Sequence, residues 1–312
     1  MTKRQSPMKE SAGKYACLLY DSTLKTVLGV PENEELFIEI LEFLIPGKRI
    51  SSITFDNKEK HGLVVSEKVA IFDLLCQDKD TGEEFLVEVQ NAPDKTFKDR
   101  ALYYSLIPVR EQLEKKQTEE DSEKRGKMDY SIRPIYVISL LNFNLDHESP
   151  DALEGGYVSR YDLRNIRNGE KMTDAINFIF VEMGRLPYAK DEKSKCKSRL
   201  EKFIFTFKYM HTFEEFPLEF EDDSMLEKLA NASKLANMSV LQREEYDKAM
   251  KDEFARLVEN NFAREEGRAE GKAEGAAQRN VEIAKAMKAE KMEVALISEL
   301  TGLSAEEVEA LR

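Results

Sequence analysis

The stretch Val69-Ala70-Ile71-Phe72-Asp73-Leu74-Leu75-Cys76-Gln77-Asp78-Lys79-Asp80-Thr81-Gly82-Glu83-Glu84-Phe85-Leu86-Val87-Glu88-Val89-Gln90 decides the fold. Each of its two apolar runs, 69–76 and 84–90, is interrupted by one carboxylate, Asp73 or Glu88. Burying such a charge is costly unless it is paired or bound to metal. The polar residues 78–83 lie between the runs, and a glycine near the end of a short polar loop signals a hairpin. A four-residue loop over 79–82 pairs residues whose numbers sum to 161, which sets Asp73 opposite Glu88. Gln90 then shares their face, because side chains alternate along a strand. Two carboxylates and an amide converge on one patch of sheet.

Such a patch suits a hard cation, Mg²⁺ or alternatively Mn²⁺, that takes one or two carboxylates and completes its shell with water and substrate phosphate. The matching chemistry is metal-assisted phosphodiester hydrolysis. The competing reading pairs both acids with Arg or Lys at a sheet edge.

Around the hairpin, Glu34–Leu44 has the apolar spacing of an amphipathic helix and 50–55 reads as a short strand. A second helix is expected over 99–116 and a buried strand over 133–143. The order αβββαβ, with a helix joining two strands, predicts a parallel crossover and a mixed central sheet flanked by helices. Segments 157–163 and 176–183 read as further strands of that sheet.

This order, with Asp73 and Glu88-Val89-Gln90, resembles the PD-(D/E)XK nuclease superfamily, specifically its bacterial recombination-promoting nuclease group, labelled as transposases. Tyr20-Asp21-Ser22-Thr23-Leu24-Lys25-Thr26-Val27-Leu28-Gly29 is similar to that group's early Asp-x-x-x-Lys-x-x-x-Gly signature, and Asp99-Arg100-Ala101-Leu102-Tyr103-Tyr104 to its Arg-x-x-Tyr-Tyr helix. The resemblance covers about residues 15 to 210 and implies an α/β, restriction-endonuclease-like core, not an RNase H-like one. It implies that Asp73 and Glu88 bind the metal, with Gln90 in the place usually held by lysine. Glutamine only donates and accepts hydrogen bonds, which leaves the general base unassigned. Phe72 stands where proline often precedes the aspartate, and Leu24 and Leu28 occupy positions that are often aromatic in relatives.

Asp21 and Lys25, one helical turn apart, could face the site together, with Asp21 as a third acid or orienting group. They could equally form an ordinary i,i+4 pair, or Asp21 could cap a helix. Arg100 is taken as a site residue that reaches phosphate or the sheet carboxylates, and Tyr103 and Tyr104 as packing. Lys95 and Lys98 are either phosphate contacts or solvated lysines.

With 47 basic against 60 acidic residues the chain carries a net charge of −13, which disfavours general attraction to a polyanion. Positive charge would have to be concentrated locally, and 190–208 holds seven Lys or Arg against three acids. That segment is the best sequence candidate for a DNA-facing surface, and 214–223 reads as an acidic linker or partner-facing segment. No apolar run approaches a membrane span and no secretory leader is visible, so a cytoplasmic protein is expected. Cys17, Cys76 and Cys196 are too few for a disulfide framework, and His61, His147 and His211 show no zinc spacing.

The sequence divides into a flexible start over 1–14, a nuclease-like domain over 15–210, an acidic linker over 211–224 and a helical C-terminal region over 225–312. Within the last, Gly267, Gly271 and Gly275 repeat with period four among charges, which suggests close helix approach or a flexible joint. Gly302 ends one helix, and Ser304 caps the next with Glu307 at capping-box spacing. This helical hairpin is read as an element for oligomerisation or protein contact, with DNA reading second, since Glu306, Glu307 and Glu309 suit a DNA groove poorly.

The reading is a Mg²⁺-dependent DNA endonuclease, homo-oligomeric through its C-terminal helices, linked to recombination, mobile elements or defence against foreign DNA. Asp73, Glu88, Gln90, Asp21 and Arg100 are its site residues. Two alternatives stay open: a non-catalytic interaction protein on the same fold, and an RNA-cleaving toxin using the same site.

Overall fold

A computed structural model describes residues 13–55, 73–120 and 129–311; the expected flexible start up to residue 12 and the run 69–72 lie outside the described residues. The chain divides into two compact units, Met1–Asp247 and Lys248–Arg312.

In the first unit, α1 (Asp21–Leu28) buries Thr23, Leu24, Val27 and Leu28, a helical stripe. Gly29 caps it against the sheet: a Cβ there would lie 2.6 Å from Leu74 Cδ2 and 2.7 Å from the Lys25 carbonyl oxygen. Only glycine permits that approach. Helix α2 (Glu34–Leu44) keeps the expected bounds and buries Leu36, Phe37, Ile40, Leu41 and Leu44. Two of its acids reach the next strand, Glu34 accepting from the Ile53 amide (2.8 Å) and Glu42 from the Ile50 amide (2.9 Å). Strand β1 (Ile53–Phe55) starts later than the sequence indicates, because Ile53 pairs with Asp78, the last residue of the neighbouring strand, and residues 50–52 fall opposite the hairpin turn.

Strands β2 (Leu74–Asp78) and β3 (Glu84–Gln90) pair antiparallel as Leu74↔Val87, Leu75↔Leu86, Cys76↔Phe85 and Gln77↔Glu84, the register that the loop length predicts. Asp78 Oδ1 accepts from the amides of Asp80 (2.8 Å) and Thr81 (2.9 Å), and Gly82 turns at φ +71°. The short side chain of Asp78 thus organises the tip, and glycine supplies the left-handed residue.

Helix α3 (Phe97–Glu120), which contains Pro108, leads to β4 (Ile135–Leu141). Strands β5 (Val158–Asp162) and β6 (Ile176–Glu182) complete one mixed sheet of order β1-β2-β3-β4-β6-β5, with β3, β4 and β6 parallel. Phe97 and Ala101 of α3 pack with Leu75, Leu86, Ile135, Val137, Leu141 and Phe180. By the two-residue period, this is the face that carries Glu88 and Gln90. The α/β, restriction-endonuclease-like architecture is as expected.

Helix α4 (Arg199–Tyr209) begins at a capping box formed by Ser198 and Glu201. Residues 211–247, placed by composition in an acidic linker and the start of the C-terminal region, are part of the first unit. Phe213 precedes the acids and Phe220 stands among them, and both are buried, as are Met225, Leu226 and Leu229 of α5 (Ser224–Ala232). Apolar anchors among the carboxylates, invisible to a charge count, hold this segment on the core.

Helix α6 (Val240–Ala289) runs on into the second unit, which ends in α7 (Val294–Thr301) and α8 (Ala305–Ala310). Ala284, Ile297 and Val308 form its small core, with Met287, Val294, Leu303 and Leu311 packed against them. Gly302 terminates α7 at φ +74°, and Ser304 with Glu307 forms the anticipated capping box. Lys288 Nζ donates to the carbonyls of Val308, Glu309 and Leu311, so a cation closes the negative end of α8. Apart from its chain neighbours and the helix's own backbone, no described atom lies within 4 Å of a Cβ built on Gly267, Gly271 or Gly275, so no other described element approaches α6 closely there. Among the described residues, no helix is long and apolar enough to cross a membrane.

Candidate functional site

Asp73 immediately precedes β2, and continuing the observed register by one pair sets it opposite Glu88. Its Oδ2 accepts from the Val89 amide at 2.6 Å, which folds the carboxylate onto β3. Glu88 sits across the parallel ladder from Ser139 of β4, whose hydroxyl donates to Glu88 Oε1 at 2.9 Å. The Gln90 side-chain amide, one step along the same face, also donates to Glu88. Both acids are nearly buried, at 9% and 7% exposure.

Burial pushes the Asp73 carboxyl up to about 7; the Val89 amide and Lys25 pull it down, and the charges of Asp21 and Glu88 push it further up. Glu88 is also raised by burial, against the Ser139 hydroxyl, Arg100 and Gln90. Two adjacent acids that resist ionisation mark a place where added positive charge is stabilising.

Helices supply the remaining groups from two directions. From α1, Asp21 and Lys25 both act electrostatically on Asp73. Asp21 is the first residue of that helix and accepts from the Ser22 amide at 2.7 Å, while the N-cap itself is Tyr20. From α3, Arg100 acts on Glu88. Its Nη1 donates to Asp94 Oδ2 at 2.8 Å, and its buried Nε and Nη2 have no hydrogen-bond partner among the described residues. Tyr104, one turn further on, is not simply packing. Burial raises its hydroxyl, Arg100 lowers it, and the charges of Glu88 and Asp73 add to the rise.

The structure therefore groups Asp73, Glu88, Gln90, Asp21 and Arg100, with Lys25 beside Asp21 as the sequence reading allowed, and adds Ser139 and Tyr104. Ser139 had no signal in the sequence, being a lone hydroxyl in an apolar strand. Pairing at a sheet edge does not describe the two acids. Strands β2 and β3 are interior, and neither carboxylate has an ion pair among the described residues.

The matching family is described as PD-(D/E)XK nuclease family transposase, and the match runs over residues 18–258. The chain belongs to that family. No curated protein and no solved structure matches it. The extent of the nuclease-family match fits the observed unit, since it carries past α4 and α5 into α6.

Family nucleases typically use divalent metals, and the donor set here can be tested against that chemistry. Among the described residues there is no group of three or more His, Cys, Asp or Glu that could hold an ion. Two buried hard-oxygen carboxylates facing each other do fit a cation that draws its other ligands from water and phosphate.

Among the described residues, most cations of the run 190–208 have partners within the protein. Lys195 pairs with Glu192 at 2.5 Å, and Arg199 with Asp223 at 2.5 Å. Lys202 pairs with Asp222 at 2.8 Å, Lys193 lies 3.9 Å from Glu219, and Lys208 Nζ donates to the Met183 carbonyl. The acidic stretch 214–223 folds back as the partner of three of these cations, Lys193, Arg199 and Lys202, a pairing that sequence separation concealed.

Proposed function

We propose that this protein is a Mg²⁺-dependent endonuclease that hydrolyses phosphodiester bonds in DNA, with Asp73 and Glu88 as metal ligands and Gln90, Asp21 and Arg100 as supporting site residues. The observation that carries the reading is the pair of opposed, nearly buried carboxylates at 73 and 88, with Gln90 beside them on one face.

A divalent cation held by Asp73 and Glu88 would stabilise the charge that builds on the phosphoryl oxygens. The chain's own groups do the rest. Ser139 and Gln90 donate to Glu88 and oppose the rise that burial imposes on it. The unpartnered Nε and Nη2 of Arg100 suit two phosphate oxygens, the geometry guanidinium recognises best. Water adds to phosphorus, the bond to the leaving sugar oxygen breaks, and that oxygen gains a proton while water loses one. Self-association through the C-terminal helices belongs to the same proposal, because two copies would address both strands.

Supercoiled plasmid incubated with the full chain should be nicked in Mg²⁺ and untouched in EDTA. Asp73→Ala and Glu88→Ala, checked for folding, should each lower the rate by at least about 100-fold. No cleavage of DNA by folded wild-type protein would overturn the DNA reading. Cleavage of structured RNA instead would favour the toxin, and no cleavage of either the interaction protein.

A further inference from the structure

Asn91 directly follows β3, and its side-chain amide is engaged at both ends. Its Nδ2 donates to the Leu19 carbonyl, two residues before α1 begins, and its Oδ1 accepts from Asn142 Nδ2 at 3.3 Å. Asn142 in turn follows β4, and its backbone amide donates to the Gln90 carbonyl at 2.8 Å. The approach to α1, the end of β3 and the end of β4 thus meet at one asparagine. The far end of α1 is held as well, since Gly29 lies against Leu74, the neighbour of Asp73. On the hairpin Leu74 pairs with Val87, and Asn91 lies four residues beyond Val87, about 13 Å along the strand direction. The eight residues of α1 span about 12 Å, so the helix bridges the interval that contains Asp73 and Glu88.

We propose that Asn91 is a positioning residue whose side-chain amide fixes the start of α1, and with it Asp21, alongside the carboxylate pair. The proposal rests on the nuclease reading above. The place calls for an acceptor toward Asn142 and a donor toward Leu19, and asparagine supplies both in one rigid plane. The bond from Asn142 decides which end of that plane faces Leu19. Aspartate of the same shape would turn an oxygen toward the Leu19 carbonyl and break the tie. A helix of eight residues has little stability of its own in water, so its place is set by what anchors it. Asp21 stands two residues from the held carbonyl, and a displacement of about 1 Å in a reacting constellation costs on the order of 100-fold in rate. Asn142 extends the same tie to β4, whose Ser139 donates to Glu88.

Plasmid cleavage in Mg²⁺ and hydrogen exchange, both on the full chain, test the assignment. Asn91 and Asn142 are each partly exposed, so alanine at either leaves no closed cavity and the fold should hold. Asn91→Ala should lower kcat by about 10- to 100-fold with KM for plasmid within about threefold of wild type. Asn142→Ala should lower it less, and the double variant should be no slower than Asn91→Ala within about twofold, because the two act as one unit. Amide exchange over residues 18–28 should quicken by about tenfold in Asn91→Ala while residues 84–90 stay unchanged. A kcat within about threefold of wild type would overturn the proposal and leave the nuclease reading standing. Losses that multiply in the double variant would overturn it, as would exchange over 18–28 that does not move. Exchange that quickens equally over 84–90 would make Asn91 a general prop of the hairpin and overturn it too. Wild type inactive on both DNA and RNA would remove the nuclease reading and this proposal together.

Discussion

Asp73 holds a proton more tightly in the folded chain than in the unfolded one, because burial and the nearby acids raise it from 3.8 to about 7. A carboxyl raised in this way favours the folded state at low pH. Its contribution is lost as pH rises from about 4 to 7. Asp73→Asn removes that dependence while its carbonyl oxygen can still accept from the Val89 amide. In metal-free buffer at alkaline pH the variant should melt several degrees above wild type, with the advantage gone at acid pH; thermal melts across the range measure both. A wild-type curve that stays level through this window would show that Asp73 ionises normally. Asp73, Glu88 and Gln90 were legible in the sequence because charge inside an apolar strand is conspicuous and the loop length fixes the register. Ser139 was not legible, since a neutral hydroxyl acquires its role only when β4 is laid beside β3.

At the scale of elements, the hairpin tip sets the alignment of the site acids. Gly82 turns at φ +71°, and a Cβ there would lie 2.2 Å from Arg133 Nη1. The arginine can swing aside, but the left-handed backbone cannot be relieved. Gly82→Ala should therefore destabilise the protein by about 1 to 2 kcal/mol, and Gly82→Asn by less, read as shifted urea midpoints. Element identity was widely readable from periodicity, as in Glu34–Leu44 and the run of strands. Boundaries failed where pairing decides them, as when β1 begins only at Ile53, opposite the last residue of β2. The segment 211–223 was misread for a related reason. Its carboxylates dominate the composition, whereas Phe213 and Phe220 decide its position.

For the whole molecule, a net charge of −13 and the pairing of Arg199, Lys202 and Lys193 with Asp223, Asp222 and Glu219 bear on how a nucleic acid is met. If only one or two cations beside the carboxylate pair contact phosphate, the logarithm of the duplex binding constant should fall with the logarithm of salt at a slope of about −1 to −2. Engagement of all seven cations of 190–208 would give about −6, so a titration series decides between them. The pairing of α4 with the acidic stretch amounts to a set of built-in counterions. Small ions that other DNA-binding surfaces shed on contact are replaced here by covalently tethered carboxylates that cannot diffuse away. Association with DNA would then gain little from ion release, and affinity would rest on the few groups at the cleavage site.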